Sequence, residues 1–185
     1  VSNVTFNGNA ALITSDQVGK FATAGVAANQ LGLAGGILLT SGKASIAIGP
    51  NNAAGAGAQV GGPGDPDLNT LAGSNTSDRA VIEFDFIPQS DTVRFRYVFA
   101  SEEFFEYCNQ FNDAFGFFLS GPGITGTFSN NSINIAKMPG SLSNYVTINN
   151  ICANTQSRWT NPSGGLYYQY DGLTFVYTAW NVVQP

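Results

Sequence analysis

The sequence predicts an all-β fold: a two-sheet sandwich of jelly-roll type, with one long Gly-rich loop and at most a short helix near the N-terminus. Three observations predict it. Short apolar or alternating runs recur along the chain, with Gly, Pro, Asn and Ser between them. Helical periodicity is almost missing. Charged residues make up only 10 % of the chain, so its polar surface must come from Asn, Ser, Thr, Gln and Gly, as in secreted and cell-surface β proteins. A chain of 185 residues forms one domain, 1–185, and its 43 % hydrophobic and 12 % aromatic content is ample for a packed core.

The elements follow in order. Ser15–Ala28 is the helix candidate: Asp16 is a potential cap, and Phe21, Ala24 and Ala28 stand at helical spacing. Gly19 and Gly25 interrupt it, which limits it to one or two turns. Ile37–Thr40 reads as a strand. Residues 49–77 carry much of the Gly and hardly any large apolar side chain, so they read as a long functional or mobile loop.

Val81–Ile87 and Val93–Ala100 are the clearest strands. Ile82, Phe84 and Phe86 alternate with Glu83 and Asp85, while Val93, Phe95, Tyr97 and Phe99 alternate with Arg94 and Arg96. A turn at Pro88-Gln89-Ser90-Asp91 would close them into a hairpin, pairing Glu83 with Arg96 and Asp85 with Arg94. Ala114–Leu119 is apolar on both faces and reads as a central strand. Ile133–Met138, Tyr145–Ile151, Leu166–Tyr170 and Leu173–Trp180 complete the set.

Several functions are excluded or disfavoured. The chain has no His, so Ser-His-Asp and Cys-His catalysis is impossible. Glu102 and Glu103 are adjacent and Glu106 is close, but no motif sets two of them across a cleft as glycoside hydrolysis needs. The expectation is that the protein is not an enzyme. GAGAQVGG lacks the Lys-Ser/Thr ending of a phosphate-binding loop and reads as a flexible surface loop. With a net charge of −5 and seven scattered basic residues, nucleic acid is a poor partner. No apolar run approaches 18 residues, so direct membrane insertion is not expected. The opening VSNVTFNGNA has neither a basic n-region nor an apolar h-region, which fits a removed signal peptide or an internal piece of a longer protein.

Three sets of residues remain as candidates. Cys108 and Cys152 are the only cysteines, and without His they cannot complete an ordinary zinc site. Their spacing suits a disulfide closing a large loop; two buried free thiols are the alternative. Asp65 and Asp67, Glu102 and Glu103, and Asn112 and Asp113 are oxygen-rich clusters at expected element ends, the donor type that Ca²⁺ takes. The competing reading makes Asp65 and Asp67 turn caps and pairs Glu102 and Glu103 with Arg79 or Arg158. Trp159, Tyr167, Tyr168 and Tyr170 are candidate glycan platforms, with packing in the sheet core as the alternative for the last two.

The strings GILLTSGKASIAIGPNN, GDPDLNTL, AVIEFDFIP, VRFRYVFASEEFFEYCNQFNDAFGFFLSGPG and NIAKMPG resemble the choice-of-anchor L family, in order, from about residue 35 to residue 180. The resemblance implies a module of large secreted or surface-attached bacterial proteins, found in gliding or biofilm-forming bacteria and accompanied by sorting signals that include the type IX secretion signal. It implies no catalytic residues. Because GDPDL, SEEF and FND are the polar parts of the distinctive stretches, it strengthens the calcium expectation. Family members usually continue past the equivalent of Val183-Gln184-Pro185 with a further apolar strand segment, so either the sequence stops short of the domain's end or a processed chain leaves a strand position beside Leu173–Trp180 for another segment. The functional expectation is an adhesin-type module that binds an extracellular glycan or protein. The alternative is a filament or motility-fibre subunit whose partners are other copies of itself, joined by strand exchange.

Overall fold

The computed structural model describes residues 1–22, 33–48, 57–101, 107–138, 141–153, 168–170 and 175–183. Strands dominate, as the sequence predicts, and all pairings between them are antiparallel. Among the described residues they form five small sheets of two or three strands.

β1 (Ser2–Asn7) pairs with β4 (Val81–Asp85), and β2 (Val18–Ala22) pairs with β3 (Gly35–Leu39). The three-stranded sheet joins β5 (Val93–Ser101), β10 (Tyr168–Tyr170) and β11 (Phe175–Val183), with β11 in the middle. β6 (Ala114–Phe115) pairs with β9 (Val146–Thr147), and β7 (Phe118–Leu119) pairs with β8 (Ile133–Asn134). Among the described residues two α-helices interrupt the strands: α1 (Pro66–Ala72) and α2 (Ile148–Ala153).

Five local expectations are corrected. The N-terminal helix is absent over Val18–Ala22, which is β2; residues 23–28 lie outside the described residues. Weak helical spacing interrupted by Gly19 yields to pairing with β3. The 49–77 loop is shorter than expected because α1 begins within it. Tyr145–Ile151 is a strand only at Val146–Thr147 and then turns into α2. Ile148, Ile151 and Cys152 stand at helical spacing, and that set faces the core.

The fourth correction is the hairpin. β4 does not pair with β5. Glu83 faces Thr5 and Asp85 faces Ser2 on β1, whereas Arg94 and Arg96 face Val182 and Trp180 on β11. Exposed opposite charges gain little from one another, about 0–1 kcal/mol per pair, so charge matching does not decide the partner. Burial does. Along β5 the arginines are exposed while Val93, Phe95 and Tyr97 are half-buried. Phe95 lies 4.3 Å from Phe117, centroid to centroid, and Tyr97 stacks on Phe115 at 4.7 Å. Phe84, by contrast, is exposed.

The expected central strand Ala114–Leu119 is divided into β6 and β7, which face different partners. Asn134 accommodates the break: its buried Oδ1 accepts from the N–H groups of Phe117 and Ala136 at 3.0 and 2.9 Å. The core lies alongside, made of Ala136, Met138, Val146, Ile148 and Ile151. Tyr97, Phe99, Phe115, Phe117, Cys108 and Cys152 pack against it.

Candidate functional site

The disulfide joins this core to the surface. Cys108 and Cys152 are bonded with their Cα atoms 5.9 Å apart, tying the turn after SEEFFEY to α2. On that turn Gln110 and Phe111 both direct backbone N–H groups at the Tyr107 carbonyl, at 2.9 and 3.2 Å. Asn109 adopts φ +64°, a left-handed conformation that Asn tolerates better than most residues. The result presents Tyr107 and Phe111 together, their rings edge to face with centroids 5.7 Å apart.

Asparagine side chains fix the position of this turn. The Asn109 N–H donates to Asn149 Oδ1 at 2.8 Å. The Asn149 N–H donates to Asn112 Oδ1 at 2.9 Å, and Asn112 Nδ2 donates to the Ala72 carbonyl at 2.8 Å. One continuous set of amides thus connects the Tyr107–Phe111 turn, the start of α2 and the end of α1. The Asp113 carbonyl adds a bond from the Ile148 N–H at 3.0 Å.

The carboxylates are placed differently from one another. Asp65 caps α1: its Oδ1 accepts from the N–H groups of Asp67 and Leu68 at 2.9 and 3.1 Å. Pro66 follows at the start of the helix, and Gly73 ends it at φ +71°. Asp67 accepts the Ser129 N–H with both oxygens, at 3.1 Å each. Asn112 meets the other end of α1, a separation of about 10 Å at the helical rise of ~1.5 Å per residue. Asp113 Oδ2 accepts from Ser101 Oγ at 3.1 Å, the last residue of β5. Glu102 and Glu103 lie outside the described residues, as do Trp159 and Tyr167. Among the described residues no three His, Cys, Asp or Glu side chains converge to hold a metal ion.

Tyr107, Asn109 and Phe111 are not among the candidates that the sequence alone singles out. The signal was present in YCNQF, two aromatics flanking amides and a half-cystine, but only the turn brings the two rings together.

A second polar junction is structural. Gln17 is fully buried; its Oε1 accepts the Asn9 N–H at 2.6 Å, and its Nε2 donates to the Asp78 carbonyl at 2.7 Å. The buried Asp78 carboxylate accepts the Gly62 and Val60 N–H groups at 2.5 and 3.2 Å.

Among the described residues no helix is long and apolar enough to cross a membrane. No curated protein and no solved structure matches the chain. The family model of the choice-of-anchor L domain matches residues 1–185, the whole chain. The protein therefore belongs to the choice-of-anchor L domain family, and is a module of the secreted and cell-surface bacterial kind.

Proposed function

We propose that this chain is a non-enzymatic binding module of a large secreted bacterial protein, attaching the cell surface to a glycan or protein partner. The observation that carries the reading is the family match over residues 1–185. The disulfide supports it, since such bonds persist outside the cytoplasm. So does the rim of α1, the Tyr107–Phe111 turn and α2, a preorganised surface that loses little freedom on binding. The test is biolayer interferometry of the immobilised chain against polysaccharides, matrix proteins and soluble copies of itself. Binding to either of the first two supports the module. A response to itself alone favours the filament subunit, for which the argument is that, among the described residues, β10 pairs with Phe175–Tyr177 of a strand that runs on to Val183.

Calcium is the cofactor we place with this function, and the argument for it narrows to one group. Asp65 and Asp67 accept backbone N–H groups, and Asp113 accepts from the hydroxyl of Ser101, the residue immediately before Glu102 and Glu103 in the chain. With 12 acidic and seven basic residues, clustered carboxylates gain from a shared cation. Millimolar Ca²⁺ should raise the melting temperature relative to chelator, by an amount equivalent to about 2.7 kcal/mol at a hundredfold excess over Kd. Asp113→Ala should abolish that calcium-induced difference, whatever it does to the absolute value. Identical melts with Ca²⁺ and with chelator would end the proposal.

A further inference from the structure

We infer that the Tyr107–Phe111 turn is a carbohydrate subsite that takes an uncharged hexopyranose ring on the face of Phe111. This rests on the binding-module reading above and assigns it a ligand class and a place.

Phe111 is 57 % exposed, although it sits next to a disulfide-anchored core. An isolated exposed apolar residue requires no explanation. This one is held in place: Tyr107 braces it edge to face, Cys108 fixes the turn covalently, and Asn109 is locked by its left-handed backbone and by Asn149. An aromatic ring fixed in solvent is preorganised for a ligand that approaches its face.

The surroundings select the ligand. Asn109 and Gln110 are exposed on the same turn, with Asn112 and Asn149 beneath it. Amides both donate and accept, which matches the mixed hydroxyl rim of a sugar. The C–H face of a hexopyranose carries a slight positive potential and meets the negative face of an aromatic ring. No basic residue occurs in 107–113 or in 148–153, so a sialylated or sulfated sugar would find no counter-charge there.

The test uses the whole chain on an array carrying neutral hexose oligosaccharides beside sialylated and sulfated ones, with protein-coated spots included. Wild type and Phe111→Trp should be retained on neutral hexose spots, and Phe111→Ala should bind about tenfold or more weakly, the scale of a lost aromatic anchor. Because Phe111 is largely exposed, its variants should melt like the wild type, and Gln110→Ala gives an independent, smaller loss. Neutral-sugar binding that Phe111→Ala leaves unchanged overturns this subsite while the module reading stands. Binding confined to protein spots, or to charged sugars, overturns it in the same way. Capture on no spot at all sinks both readings.

Discussion

Asp65 joins two facts that the sequence displays separately. The string GDPDLNTLAG contains a capping Asp, a Pro suited to the first helical position and a Gly suited to the left-handed end, which together spell α1. Read as turn residues in a Gly-rich stretch, they lost that meaning; the helix was legible there and its seven residues were simply short. The capping role has a measurable consequence. Asp65→Ala should cost about 1 kcal/mol in urea denaturation, whereas Asp65→Asn, which keeps an acceptor for the Asp67 and Leu68 N–H groups, should cost clearly less. Equal losses for the two variants would mean that charge, through Arg79 at 4.0 Å, matters more than the cap. Gln17 stands at the other extreme. Its burial depends on partners at Asn9 and Asp78, and nothing in the residues around it announces them.

Between elements, the sequence is legible where one strand carries its own pattern and silent where a partner has to be chosen. The alternation of β5 is fully legible, with arginines outward and aromatics inward. Its partner is not, because β11 is about eighty positions away and the attractive local candidate, β4, offered only exposed charge pairs. Helix α2 was hidden for a related reason. Val146, Thr147 and Ile148 look like a strand, and only the core-facing set of buried Ile148 and Ile151 with half-buried Cys152 shows the change of period. The disulfide was legible from composition and spacing. Closing 44 positions, it should contribute about 4 kcal/mol by limiting the unfolded chain. Calorimetry of the reduced and alkylated protein should therefore show a melting temperature lower by roughly 10 °C. An unchanged transition would make the bond incidental to the fold of this rim.

At the scale of the whole molecule, scarce charge and the family strings pointed to a surface module, and the family match extends that identity over residues 1–185. The site was less legible. The carboxylates and amides share a chemical type, but α1 separates Asp65 and Asp67 from Asn112 along its length. The rings that do come together, Tyr107 and Phe111, are four positions apart and needed the turn to meet. The most direct measurement of the central claim is adhesion under flow. Beads coated with the chain would be driven over surfaces carrying neutral polysaccharide, matrix protein or bacterial cells, alongside beads coated with an inert protein. Chain-coated beads should resist detachment on at least one of these surfaces, at shear that clears the inert beads. Detachment at the same shear on all three would contradict a role in binding.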